Sequence, residues 1–186
     1  MLIIGITGTL GAGKGTIVDY LLKEKGFAHY SVREFIAEEI IRRGLPVNRD
    51  TMVLVANDLR KNNSPSYITD CLYEKALSTG KNSIIESIRT PGEVYSLREK
   101  GRFYLLAIDA DPELRYRRIS MRKSETDNIS IETFLENEKR EMNSTDPNAQ
   151  NIKKCMDLAD FKLWNNGTLE QLNLQVEAIL LAISGG

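Results

Sequence analysis

Short apolar runs alternate with amphipathic segments from one end of the chain to the other. Leu2, Ile3, Ile4 and Ile6 put apolar side chains on both faces of the first run, the pattern of a central strand buried between two layers of helices. Runs over Phe27 to Ser31, Ser83 to Ser87, Phe103 to Asp109 and Phe161 to Trp164 read as four more strands. The last alternates Phe161 and Leu163 with Lys162 and Trp164, which places it at a sheet edge. Strands that alternate with helices along a whole chain build a parallel sheet. The expectation is therefore an α/β fold of three layers, a five-stranded parallel sheet with helices on both faces.

The helices announce their ends. The first spans about Lys14 to Lys25 and stops at Gly26, a residue suited to the left-handed turn past a helix end. Met52, Val55, Ala56 and Leu59 recur at i, i+3, i+4 and i+7, so about Arg49 to Asn62 forms an amphipathic helix with Asn57 and Arg60 on a common face. Asp111 followed by Pro112 starts a helix that runs to about Met121 or beyond. Residues 124–128 are all polar and are expected to move. Ser130 caps the next helix, with Ile129 and Phe134 spaced as a hydrophobic staple. Ile152, Cys155, Met156 and Ala159 mark another helix, and Leu169 to Ile183 the last. No repeat, low-complexity stretch or linker interrupts the series, so the 186 residues read as one domain.

Charge and composition narrow the function. Twenty-five Lys and Arg against 26 Asp and Glu leave a formal charge of −1, so no global field recruits a nucleic acid polymer or an anionic membrane. The longest apolar stretches, Leu2 to Ile4 and Phe103 to Ile108, fall far short of the ~20 residues of a membrane span. Met1 is followed at once by strand-like residues with no basic leader. Cys71 and Cys155 alone make no disulfide framework, so a cytoplasmic setting is expected. One histidine and two distant cysteines offer no zinc ligand set, and His29 reads as a packed strand residue.

The strongest local signal lies directly after the first strand. Gly8-Thr9-Leu10-Gly11-Ala12-Gly13-Lys14-Gly15-Thr16 joins that strand to the first helix, the context in which a P-loop cradles phosphate. Glycines let the backbone wrap closely around an anion, the helix N-terminus adds partial positive charge, and Lys14 adds a full one. Four glycines at fixed positions arise by chance about 0.004 times in a chain of this length. The Ser or Thr that usually follows the lysine is replaced by Gly15, and the hydroxyl comes one residue later at Thr16.

Gly-x-x-Gly-x-Gly-Lys-Gly-Thr resembles the loop of adenylate kinase and related nucleoside monophosphate kinases. Glu86-Ser87-Ile88-Arg89-Thr90 is similar to a one-residue-shorter version of their Asp-Gly-Phe-Pro-Arg-Thr, whose arginine holds the acceptor phosphate. Arg118-Ile119-Ser120-Met121-Arg122 is similar to the Arg-x-x-x-Arg that begins their lid and grips the donor nucleotide. The C-terminal stretch Ala159 to Leu172 instead resembles dephospho-coenzyme A kinase, which implies Asn165 beside the nucleotide. Together these resemblances imply a P-loop kinase fold with a small helical lid. They put the lid at about 115–145 and an acceptor-binding helical part at about 32–80. Gly11, Ala12, Gly13, Lys14, Gly15 and Thr16 would hold ATP. Tyr30-Ser31-Val32-Arg33-Glu34 departs from both families, which carry an aspartate in that region.

Transfer between two anions demands concentrated positive charge, with Mg²⁺ bridging the donor phosphates. Arg115, Arg118 and Arg122 fall on one helical stripe, either a solvated face or a lid hinge. Arg89 closes a strand whose C-terminal end lies beside the P-loop, where ligands of open α/β sheets bind, or else pairs with Glu93. The expected catalytic residues are Lys14, Arg89, Arg118 and Arg122. Acceptor binding falls to Arg33, Asn57, Arg60 and Arg89. Thr16 and Glu86, which follows the apolar pair Ile84-Ile85, are the expected metal ligands. Asp109 reads as support for the turn that follows it. The activity expected is transfer of the ATP γ-phosphoryl group to a nucleoside or deoxynucleoside monophosphate. A dephospho-coenzyme A kinase acting on a ribose 3′-hydroxyl, and a slow ATP-binding switch, are the alternatives.

Overall fold

Five strands, β1 (Ile3–Gly8), β2 (Ala28–Ser31), β3 (Ser83–Glu86), β4 (Phe103–Asp109) and β5 (Phe161–Trp164), form one parallel sheet in the order β2-β3-β1-β4-β5. The computed structural model describes residues 1–121 and 129–185. Nine helices lie among them: α1 (Lys14–Lys25), α2 (Val32–Arg42), α3 (Arg49–Asn62), α4 (Tyr67–Thr79), α5 (Pro91–Glu99), α6 (Pro112–Met121), α7 (Ile131–Met142), α8 (Ile152–Asp157) and α9 (Leu169–Ser184). Arg122 and the polar segment 124–128, expected in a lid, lie outside the described residues.

The two faces of the sheet bury separate cores, which is why β1 is apolar on both sides. Ile4 and Ile6 pack with Ile17 and Leu21 of α1 and with Leu172 and Val176 of α9. Ile3 faces the other way, among Val55, Leu72, Leu97 and Cys155 from α3, α4, α5 and α8. Burial pushes the Cys155 thiol well above its ordinary range, so it packs as an inert apolar group. At one edge of the sheet, Trp164 ends β5 with 60% of its surface exposed. No helix among the described residues is long and apolar enough to cross a membrane.

Helix boundaries follow local chemistry. Gly26 ends α1 at φ 68 and Ser130 caps α7 by accepting from Thr133 N. Thr90 caps α5 in a reciprocal box with Glu93, and Pro91 occupies the first turn. The expected third strand stops one residue early, at Glu86, because Ser87 takes a left-handed φ of 67. That turn carries the chain from the end of the sheet to Arg89.

Candidate active site

The loop from Gly8 to Gly13 delivers the chain from β1 into α1, whose first turn has no side-chain cap. With the Thr16 N–H given to the Gly13 carbonyl at 3.0 Å, the Gly15 N–H of that turn is left for an anion. Gly11 (φ 78) and Gly13 (φ 105) make this path possible, since a Cβ on the first would meet the Arg115 carbonyl at 2.5 Å and one on the second would meet Asn165 Nδ2 at 2.2 Å. Gly15 differs, because a Cβ there would meet nothing within 4 Å. Lys14 Nζ bends over the loop and donates to the carbonyls of Gly8 (2.9 Å) and Thr9 (2.8 Å). Thr16 follows one residue beyond Gly15, half-buried in the same turn.

Neighbouring residues brace this cradle. Asp109 accepts from Thr9 Oγ1 at 2.5 Å, and Arg115, 4% exposed, donates to the Leu10 carbonyl and to Glu138 of α7. The Asn165 side chain, expected at the nucleotide, is turned to the loop itself: its Nδ2 donates to the Ala12 carbonyl at 2.8 Å and is buried. Asn165 thus supports the loop by its amide. Arg118 Nη2 donates to the Asn165 carbonyl at 2.8 Å, which seats it on the same side of the cradle.

Across the loop lies a cleft of about 730 Å³, its mouth included, whose wall reaches Leu10 of the cradle. Val32 and Ile36 of α2 and Met52, Val53 and Ala56 of α3 form an apolar side. Four arginines, Arg33, Arg49, Arg60 and Arg89, line the rest together with Glu141, Gln150 and smaller residues. Arg60 is 1% exposed and donates through Nε (3.2 Å) and Nη2 (2.8 Å) to Glu93 Oε1. Glu93 Oε2 accepts from the backbone N–H groups of Arg89 (2.8 Å) and Thr90 (3.0 Å), so this buried carboxylate is fully engaged. Glu93 therefore takes Arg89 by its backbone and Arg60 by its side chain, so the alternative in which the Arg89 side chain pairs with Glu93 is not what the structure shows. Arg60 Nη1 and Arg49 Nε are buried donors with no hydrogen-bond partner among the described residues. Arg89 Nη1 donates to Glu141 Oε2 (2.6 Å) and Gln150 Oε1 (3.0 Å), and Arg49 Nη2 donates to Glu141 Oε1. Burial pushes the Glu141 carboxyl up, but Arg89 and Arg49 outweigh it and hold the group below the usual carboxylate range.

Asn57, expected to join Arg60, does not line the cleft. The face that does so runs through Arg49, Met52, Val53, Ala56 and Arg60, one step around α3. Glu86 ends β3 in register with Ile6 and Ser31, and its Oε1 accepts from Ser31 Oγ at 3.1 Å. No group of three or more His, Cys, Asp or Glu among the described residues could hold a metal unaided. Arg49 and Glu141 were not singled out by the sequence, and Glu93 only as a partner for the Arg89 side chain. Arg49 did leave a trace: it opens a helix, where the dipole disfavours a cation.

A five-stranded parallel sheet with a glycine cradle between β1 and α1 makes this a nucleotide-binding P-loop protein of kinase fold. The chain belongs to the AAA-domain family, whose model matches residues 4–144, and to the UPF0200 proteins, one of which, from Methanococcus vannielii, is 31% identical over 191 residues, covering 98% of this chain and 99% of that protein. The crystal structure of TT1252 from Thermus thermophilus is similar in fold, with a TM-score of 0.61 at 23% identity and 97% of each chain covered. A gluconokinase from Sinorhizobium meliloti 1021 gives a TM-score of 0.60 at 12% identity, over 98% of this chain and 93% of its own.

Proposed function

We propose that this protein is a nucleotide kinase that moves the γ-phosphoryl group of ATP to a nucleoside or deoxynucleoside monophosphate. One observation carries the reading: a cleft with an apolar side opens on the phosphate cradle and keeps two buried arginine donors, Arg49 Nε and Arg60 Nη1, without partners among the described residues. A buried cationic donor without a partner is costly, and a phosphate oxygen would relieve it. The apolar side suits the flat face of a base. A ribose hydroxyl acceptor would need a general base in the cleft. Glu34 is exposed and does not line it, and Glu141, held in its charged form by two arginines, is a poor proton acceptor.

The loop N–H groups and Lys14 would hold the β- and γ-phosphates, and Arg118, on the same side, would balance charge on the transferring group. An acceptor phosphate oxygen then attacks the γ-phosphorus, the bond from phosphorus to the β–γ bridging oxygen breaks, and ADP leaves with that electron pair. Thr16 and Glu86 fit Mg²⁺, an ion that takes few protein oxygens and completes its shell with water and phosphate, and it would neutralise charge on the donor. A coupled ADP-release assay over nucleoside monophosphates, dephospho-coenzyme A and small sugar acids tests the reading. A monophosphate should give the highest turnover. Faster ADP release with dephospho-coenzyme A, or none with any acceptor, would replace it with a hydroxyl-directed kinase or a slow switch.

A further inference from the structure

Glu141 occupies an unusual position, since among the described residues it is the one carboxylate that lines a cleft with four arginines, and it is 4% exposed. Its two oxygens go to two different guanidiniums, Arg49 of α3 and Arg89 beyond β3, which is how a bridging phosphate would be held. The helix that carries it is held in the same manner one turn earlier, where Glu138 accepts from Arg115 at 2.5 Å while that arginine also donates to Leu10 of the cradle. Glu138 and Glu141 stand three apart and so share a face of α7. That face touches the cradle through one residue and the acceptor cleft through the other.

We propose that Glu141 is a displaceable internal anion that sets the charge an acceptor must bring: a doubly charged phosphate group displaces it from Arg49 and Arg89, and a single carboxylate does not. The inference rests on the acceptor reading of the cleft. A phosphate that takes the end-on fork of Arg89, Nη1 with Nη2, needs the Nη1 donor now given to Glu141, and on either edge of the guanidinium two anions side by side in a desolvated site repel. One carboxylate replacing another gains no charge and competes with a group tethered at high local concentration. A dianion gains a second charge and can also engage Arg60 Nη1 and Arg49 Nε, which Glu141 leaves without partners. Departure of Glu141 would also remove ionic contacts that fasten this face of α7.

The test uses the full chain with ADP saturating the cradle, so that added anions report on the cleft. Binding of inorganic phosphate and of acetate is measured by calorimetry for the wild type and for Glu141→Gln. The wild type should bind phosphate and not acetate. The variant should bind phosphate about tenfold or more tightly than the wild type and should acquire measurable acetate binding. In the wild type alone, amide hydrogen exchange along α7 should quicken when phosphate saturates, and this arm decides the matter if the variant does not fold. Equal or weaker phosphate binding by Glu141→Gln would mean that Glu141 orients the arginines, and slowed or unchanged α7 exchange would mean that phosphate joins it; either overturns the proposal. If nucleoside monophosphates are still phosphorylated in that case, the acceptor reading stands without it. If phosphate binds neither protein, both fall.

Discussion

Lys14 and Arg60 are both cations beside a proposed phosphate site, yet they are built into the protein in opposite ways. Lys14 donates to two loop carbonyls, neutral groups that bring no buried charge for it to balance. Lys14→Met should therefore cost ~100-fold or more in turnover and leave the thermal unfolding midpoint nearly unchanged. Arg60 neutralises Glu93 in a pair whose side chains are 1% and 0% exposed. Arg60→Met leaves that carboxylate buried against two N–H groups alone, and denaturant unfolding should show a loss of about 3 to 5 kcal/mol. Arg89 stands between these extremes, with its side chain 23% exposed. Arg89→Lys keeps the charge but loses the planar fork, so the acceptor KM should rise about tenfold or more while stability changes little. An unchanged acceptor KM would move the phosphate to Arg49 and Arg60.

The link from β3 to α5 shows what one element asks of its residues. Ser87 holds a left-handed φ of 67, which costs a residue with a Cβ of the order of 1 kcal/mol, so Ser87→Gly should unfold at equal or higher temperature and Ser87→Val at a lower one. The five strands and α1, α3, α6, α7, α8 and α9 were legible, because their signals are local, whereas α4 and α5 were not read. The limits of α1, α3 and β5 follow from Gly26, from the apolar repeat at Met52 to Leu59, and from the alternation at Phe161 to Trp164. By contrast, α2 begins at Val32 directly after β2, with no loop to separate the two patterns, and its start was hidden. The cradle was legible for the same local reason. The cleft was legible only in part: Arg60 and Arg89 stood out, but Glu141 meets Arg89 across 52 residues and nothing in its own helix marks it. Asn57 lies off the cleft that Arg60 lines because two residues three apart on a helix share a sector without facing the same space. The use of the Asn165 amide as a brace was not legible, because a polar side chain near a loop can serve the loop.

For the molecule as a whole, acid sensitivity should report the contact between α7 and the cleft. The Glu141 carboxyl is held below its unfolded value of about 4.3, so its contribution to stability is complete above that pH and is lost as the pH falls through the folded value. The stability gap between the wild type and Glu141→Gln should accordingly shrink as the pH drops below about 4.3, a trend that chemical denaturation at a series of pH values would follow. A gap that widens in acid would contradict the ion pairing. The position of Trp164 has an optical consequence. It is the single tryptophan of the chain, it is largely exposed at the end of an edge strand, and the next residue, Asn165, holds the Ala12 carbonyl of the cradle. Its emission colour and intensity follow the polarity around the indole, so ATP added to the wild type should shift or quench the fluorescence, and Lys14→Met should require more nucleotide for the same signal. On the proposed reading an acceptor would bind across β1 from that indole, in the cleft lined by α2 and α3. A dark response to the acceptor and a bright one to ATP would give each ligand its own readout, from a chromophore the chain already carries.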